Sequence, residues 1–576
     1  MPFLGTAGIL LIIFYAVNDF GENMLFRRVL VTSLALIVFH GLLIYFLWLV
    51  SRYASHRSWI RVLAYSIYIV GCYFLYILLI ASTITYYHWS APINDPVLRD
   101  FLFHWKTYSA LAIPVNPNMI GAVLVSTSLL TIGILIYRKR AVWEASGELF
   151  GKFRWKTAYN WLLIMGAFSI ILSGMHEPTR SWLLKTKDQY VWDDPILSFF
   201  YSSLRRGYFK RQVRKSEIQM DKHLGDKPEY IANRNLILIT VDGLRPDFLY
   251  GSNKSDDLTP FIDSLLRTTP HLMYTNAYAN CNYSVCGLLT ILSGEVADDA
   301  KGNFLSLQHY LHHVGYSNYF ILSGNHAGWG LDIKYGSKLD SYFEGPFSRM
   351  YVPTDDRIIL EGLSHTVVNK SDPSFFWFHL MSTHCQGVIQ EQYQKYHPTN
   401  FNLFADVDSQ NILGYVNNYK NGIIQADALI AEILATVIGP DDLENYVIVI
   451  TADHGENLGE YGELVHGKHL RREELSIPLL VIDPLIQSDT SDELVCQRDF
   501  ASLMLAQLKI AEPNVWLRHK AARVEEGIPV VSATRKEHGT IHQDTNGIYL
   551  MVSTGGSKAY RIRMDETEMG NNLPIN

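Results

Sequence analysis

Charge is scarce in this chain. Asp, Glu, Lys and Arg make up 18% of its 576 residues, against about 25% in ordinary soluble domains. No basic excess exists either: 56 acidic and 49 basic residues leave a formal charge of −7. That balance gives no electrostatic footing for nucleic-acid binding. Internal repeats and low-complexity tracts are absent, which excludes a solenoid. The first apolar run has no basic stretch before it and four more follow, which argues against a cleaved signal peptide. Cysteine is limited to five residues.

What is abundant is apolar sequence, and it is unevenly placed. Long apolar runs dominate 1–175, while the remainder has globular composition. Five runs read as membrane segments: 3–17, the shortest, then 29–50, 62–84, 120–137 and 158–175. Arg52, Arg57 and Arg61 follow the second run. Arg138, Lys139, Arg140, Lys152, Arg154 and Lys156 follow the fourth. Both loops belong inside by the positive-inside rule, with Arg27 and Arg28 a mild exception. An odd number of spans then places everything after Met175 outside. There Cys281, Cys286, Cys385 and Cys496 meet an oxidising compartment. The sequence leaves their pairing open; a local Cys281–Cys286 bridge would stiffen the turn between them.

Residues 176–234 carry Trp182, Trp192, Phe199, Phe200 and Tyr201, then Arg205, Arg206, Lys210, Arg211, Arg214 and Lys215. Aromatics followed by basic residues fit a helix lying on the outer leaflet; a solvated linker is the plainer reading. A second interfacial piece is expected over 95–113. From 235 to 576 the pattern is α/β. Apolar strands are expected at 236–241, 319–322, 375–380, 447–451 and 479–482. Helical patterns at 258–267, 305–314 and 416–437 fall between them. This alternation predicts a mostly parallel sheet sandwiched by helices, with an antiparallel piece near 527–562.

The stretch VIVITADHGENLGE, 447–460, carries the chemistry. A buried strand delivers Asp453 and His454 to its C-terminal end, where open α/β sheets collect their sites. A carboxylate beside an imidazole suits zinc or manganese. The first globular strand, LILITVDGL, ends the same way and offers Asp242 as a third ligand. In NCNYSVCGLLTILSG, polar residues precede a helix opening near Ser284. A hydroxyl there has helix N–H groups nearby, which favour phosphate, and a metal would make it nucleophilic. The plain alternative is that Ser284 only caps the helix. FFWFHLMSTHCQG puts His384 past another strand end, and LVHGKHL puts His466, Lys468 and His469 after the Asp453 loop. His384 and His466 are the stronger functional candidates; His469, His326 and His397 are weaker.

Residues 235–483 resemble the alkaline phosphatase and sulfatase superfamily. With the five runs upstream, the chain resembles the membrane-anchored lipoteichoic acid synthase and phosphoethanolamine transferase families. TADHGENLGE with VHGKHL is similar to the family's Asp-His-Gly-Glu block and downstream His-Gly. MSTHCQG is similar to its Ser-His segment, and ITVDGL to its first ligand strand. The family nucleophile sits about ten residues before the glycine of a Thr-Gly or Ser-Gly pair, which here points from Gly294 to Ser284. Cys281 competes, because CNYS loosely imitates the sulfatase Cys-x-Pro-Ser-Arg signature, but Tyr283 and Val285 replace its Pro and Arg.

The resemblance implies a metal held by Asp242, Ser284, Asp453 and His454, with Ser284 attacking a membrane phospholipid. The head group, phosphoethanolamine or phosphoglycerol, would pass through phospho-Ser284 to an envelope glycan or lipid. His384 and His466 would bind the phosphate, a second metal or the leaving oxygen. The implied setting is a bacterial inner membrane with the catalytic domain in the periplasm. Two departures appear: these transferases usually use Glu as first ligand and Thr as nucleophile. A tethered phosphodiesterase or sulfatase-like hydrolase is the first alternative. The second is a non-catalytic lipid-binding envelope regulator, against which the retained Asp453–His454 pair argues.

Overall fold

The chain divides into two compact units, and the account below concerns the one containing 207–576. The computed structural model describes residues 234–296, 305–401, 407–513, 527–533, 537–554, 559–564 and 573–574, a few single positions aside. The five expected membrane runs, the segment 95–113 and nearly all of 176–234 lie outside the described residues. Among the described residues, no helix is long and apolar enough to cross a membrane.

The centre is an eight-stranded sheet in the order β4-β3-β5-β1-β6-β7-β2-β8. Its strands are β1 (Asn235–Val241), β2 (His271–Tyr278), β3 (Ser317–Leu322), β4 (Ser341–Glu344), β5 (Ser374–Leu380), β6 (Tyr446–Thr451), β7 (Leu479–Ile482) and β8 (Asp489–Cys496). Strands β4, β3, β5, β1 and β6 pair in parallel, as do β2 and β8. Only β7 runs the other way, antiparallel to both β6 and β2. Residues 452–478 therefore leave the sheet and return to it at one rim.

Strand β5, SFFWFHL, is buried at every position. A strand covered on both faces needs continuous apolar sequence rather than alternation. Each buried Phe contributes about 1.5–3 kcal/mol relative to exposure. Phe376 stacks on Tyr319 with ring centroids 4.9 Å apart, and Phe320 meets Trp377 edge-on at 4.8 Å. The edge strand β8 is different: its first half is largely exposed and carries Asp489, Asp492 and Glu493. Charge on an edge discourages pairing with another chain.

The helices used below are α1 (Pro260–Thr268), α2 (Ser284–Ser293), α3 (Leu307–His313), α4 (Arg357–His365), α5 (Ser409–Val437), α6 (Arg472–Leu475) and α7 (Phe500–Gln507). Helix α5 opens on Asp408, whose side chain accepts from the Asn411 amide. Its buried Asp427 accepts from the amides of Phe261 and Ile262 at 2.8 and 2.9 Å, satisfying the N-terminus of α1.

A second, antiparallel sheet has the order β13-β12-β11-β10-β9, from β9 (Ile528–Val531) and β10 (Glu537–Asp544) through β11 (Gly547–Thr554) and β12 (Ala559–Arg563) to β13 (Leu573–Pro574). It braces the turn before α2. Asn280 donates to the Pro529 carbonyl at 2.8 Å, and the Ala533 amide donates to Asn282 Oδ1 at 2.9 Å. All five strands and three helices expected from the sequence are present, along with the antiparallel C-terminal piece. Strands β2, β4 and β8 were not anticipated.

Candidate metal centre and nucleophile

Strands β1 and β6 are parallel neighbours, with Thr240 opposite Thr451. Asp242 and Asp453 each lie two residues past that pair, so the two carboxylates emerge side by side. Gly243 makes the turn with φ of 72°, a left-handed conformation that favours glycine. Its amide donates to Asp453 Oδ1 at 3.1 Å, and the His454 amide donates to the same oxygen at 3.0 Å. That orients Asp453 Oδ2 into the site.

Asp242, Asp453 and His454 each offer one ligand atom, and these atoms lie within 4.8 Å of one another. All three residues are fully buried. His454 Nδ1 donates to the Gly455 carbonyl at 2.7 Å. This fixes the tautomer and leaves Nε2 with a bare lone pair, 3.4 Å from Asp453 Oδ2 and 3.7 Å from Asp242 Oδ1. Burial is the main force holding the ring neutral, with its pKa lowered to about 4. The Asp242 carboxyl is pushed well above its usual range by burial first, then by the charges of Asp453 and Glu456.

Two buried oxygens, Asp242 Oδ1 and Asp453 Oδ2, have no hydrogen-bond partner. Orphaned buried carboxylate oxygens are costly, and here they converge with a neutral imidazole nitrogen. The donor set of two carboxylates and one imidazole fits a divalent cation such as zinc.

Ser284 is the first residue of α2, not its cap: Tyr283 occupies the cap position and makes no side-chain capping bond. The Ser284 hydroxyl instead turns to the metal set, 3.2 Å from Asp242 Oδ2 and 3.1 Å from His454 Nε2. Gly287 permits this approach. A Cβ at Gly287 would lie 2.1 Å from the Asp453 carbonyl oxygen. Cys281 and Cys286 are joined in a disulfide that brackets Ser284. Cys281 is therefore not a free thiol, whereas Cys385 and Cys496 are buried and outside that disulfide.

His384 and His466 share the rim, with ring centroids 5.6 Å apart, and His466 lies 3.9 Å from the His454 ring. Asp356 positions the His384 turn by accepting from the amides of Met381 and Ser382, both at 2.8 Å. Burial lowers the His384 pKa well below normal, and the neighbouring histidines add to this. Burial acts in the same direction on His466, but the Glu456 carboxylate, 3.1 Å from its Nδ1, outweighs it and raises the imidazole. The rim thus pairs a neutral histidine with one biased toward the charged form.

Sequence reasoning did not single out Glu456 or His379. Glu456 stands two residues after His454, within the quoted block, and only its contact with His466 reveals a role. His379 is the single polar residue in the last six positions of β5. Its Nε2 is buried without a hydrogen-bond partner and lies 3.7 Å from Asp242 Oδ2. His326, one of the weaker candidates, stands behind it, with its Nε2 3.0 Å from His379 Nδ1. His469 faces away from the ligands, toward Glu537 at 2.9 Å.

Residues 234–510 match the Sulfatase family. The phosphoethanolamine transferase EptA of Helicobacter pylori is 24% identical over 435 residues, covering 71% of this chain and 78% of that protein. Among solved structures, the integral membrane lipooligosaccharide phosphoethanolamine transferase A from Neisseria meningitidis is similar with a TM-score of 0.45 at 16% identity, over 83% of this chain and 96% of that one. The C-terminal periplasmic domain of EcEptC from Escherichia coli, in complex with Zn, gives 0.39 at 18% identity over 50% and 83%.

Proposed function

Taking residues 234–510 as a sulfatase-family domain, we propose that this protein is a membrane-anchored, metal-dependent transferase that moves a phospholipid head group through phospho-Ser284. One observation carries the reading: the Ser284 hydroxyl lies within hydrogen-bond reach of both Asp242 and His454, at the N-terminus of α2. The relationship to a phosphoethanolamine transferase supports phosphoethanolamine as the group transferred.

A divalent cation, zinc or manganese, held by Asp242, Asp453 and His454 with Ser284 would supply the positive charge that lowers the pKa of the Ser284 hydroxyl. The chain's own residues do the rest. Ser284 gives its proton to solvent water, and its Oγ bonds to phosphorus as the bond from phosphorus to the diacylglycerol oxygen breaks. His466, biased toward its charged form by Glu456, gives a proton to that leaving oxygen. His384, neutral and buried, accepts a hydrogen bond from the incoming hydroxyl in the second half-reaction. The backbone N–H groups opening α2 face the phosphoryl oxygens. An envelope glycan or lipid hydroxyl then takes the group and frees Ser284. The expected setting is a bacterial inner membrane, with this domain on the periplasmic side.

Intact-mass spectrometry after incubation with vesicles of phosphatidylethanolamine or phosphatidylglycerol tests the reading. A phosphoethanolamine or phosphoglycerol adduct at Ser284, absent in Ser284→Ala, is expected. No adduct with either lipid, at any metal loading, would sink it. Release of free head group without transfer would identify water as the acceptor.

A further inference from the structure

Glu474 is an acidic residue inside the fold that the chemistry above does not use. It lies in the short helix α6 and is fully buried. Its side chain meets neutral N–H donors. Oε2 accepts from Asn282 Nδ2 at 2.6 Å and from the Gly467 amide at 2.8 Å. Oε1 accepts from Asn457 Nδ2. The Glu474 backbone carbonyl accepts from the Gly455 amide at 2.8 Å.

Each donor belongs to a segment that presents a site residue. Asn282 stands two positions before Ser284. Asn457 follows Glu456, and Gly467 follows His466. The segments come from three places in the chain and touch different parts of the site. Burying a carboxylate costs several kcal/mol unless its oxygens are well bonded. A hydrophobic side chain could fill the same volume, but it could not accept three hydrogen bonds at once. Asn282 is held in register from the other side, because its Oδ1 accepts from the Ala533 amide and its Nδ2 also donates to the His469 carbonyl.

We propose that Glu474 is a positioning residue. Its carboxylate locks the nucleophile turn, the Glu456 loop and the His466 loop into one frame, so that Ser284 and His466 hold their places around the same phosphorus. The inference rests on the phosphoryl-transfer reading for its rate effects but not for its geometry.

The test uses the full chain in detergent with zinc and bis(4-nitrophenyl) phosphate, a soluble phosphodiester. Glu474→Asp keeps the carboxyl group but, one methylene shorter, cannot reach all three donors. Its kcat should fall about 100-fold, with KM within about twofold, because misplacement of reacting groups acts on the rate rather than on ground-state binding. Asn457→Asp sets a second carboxylate against Glu474 and should lower kcat to a similar degree. Asn457 Oδ1 has no partner, so the amide of a Gln at 474 can donate to an Asp at 457. Adding Glu474→Gln to Asn457→Asp should therefore recover kcat to within about tenfold of wild type. Full activity in Glu474→Asp, or no recovery in a folded double variant, overturns the proposal. A wild-type chain that turns nothing over counts against phosphoryl transfer instead. The frame is then judged by crystal structures: a longer Ser284–His454 separation in Glu474→Asp supports it, and unmoved loops overturn it.

Discussion

His454 Nδ1 lies 2.7 Å from the carbonyl oxygen of its own neighbour, Gly455. This single bond sets the tautomer of the ring, and so decides which nitrogen faces Asp242, Asp453 and Ser284. Gly455 is fixed in turn, because a Cβ there would stand 2.0 Å from the Glu473 carbonyl oxygen. The imidazole is thus prepared as a ligand by the backbone, with no rotation or deprotonation left to perform.

Zinc binding should report this preparation as proton release. Near pH 6 His454 is already neutral, with its pKa lowered to about 4, so it contributes no proton. The Asp242 carboxyl, raised by burial and by Asp453 and Glu456, does. Calorimetry in buffers of different ionisation enthalpy should show proton release on zinc binding that falls as pH rises. In Asp242→Asn the release should vanish and zinc affinity should fall steeply.

Gly287→Ala is expected to damage catalysis more than its size suggests. The added methyl would overlap the Asp453 carbonyl, so α2 must back away from the metal loop. Overpacking of this kind costs roughly 1–3 kcal/mol of stability. A displaced Ser284 should lower phosphoenzyme formation about 100-fold. Rapid-quench measurement of the adduct, beside a denaturation curve, separates the two effects.

Glu344 should make a contribution to the stability of the metal-free domain that is lost as pH rises from about 5 to 7, against the opposite contribution of the buried neutral His454 and His384. Glu344 at the end of β4 is fully buried and its pKa is raised to about 7 by burial, with the Ala327 amide at 2.8 Å opposing. A carboxyl with a higher pKa folded than unfolded binds its proton more tightly in the native state. Its contribution is complete below its unfolded pKa and is lost as pH climbs through 7, amounting to roughly 3 kcal/mol. Asp356 and Asp427, each raised to about 6 by burial, act with the same sign. Urea unfolding at pH 5 and pH 8 reads it as a difference: the stability of wild type relative to Glu344→Gln should fall between the two pH values.

His466→Ala should distinguish donors by their leaving groups. A diacylglycerol oxygen needs a proton, whereas 4-nitrophenolate leaves without one. Loss of a general acid should slow transfer from a phospholipid about 100-fold or more and leave nitrophenyl ester turnover within about tenfold. Equal losses on both substrates would mean that His466 holds phosphate instead.

The central strands and the clustering of Asp242, Asp453 and His454 were legible because their physics is local. Strand β5 must be apolar throughout, and Asp242, Asp453 and His454 all sit at strand tips beside glycine. Strand β8 was missed because its exposed half, with Asp489, Asp492 and Glu493, follows edge rules rather than core rules. The four-residue β4 offers too little sequence for any period. His379 was hidden by its setting, since one histidine in an aromatic run reads as core until its Nε2 is found facing Asp242. Glu474 was invisible for the opposite reason. Its meaning lies in joining Asn457 and Gly467 to Asn282, which stands 192 positions away, and no spacing records that.

The reversal of β7 has an evolutionary consequence. Because residues 452–478 start and finish at the same rim, their exposed part, 459–463, can lengthen, shorten or change sequence without threading a new crossover behind the sheet. The segment's buried start carries Asp453 and His454, and its later turn is exposed at Tyr461 and Gly462. Lineages that vary only this exposed part could change what the rim meets while keeping Asp242, Asp453, His454 and Ser284 in place.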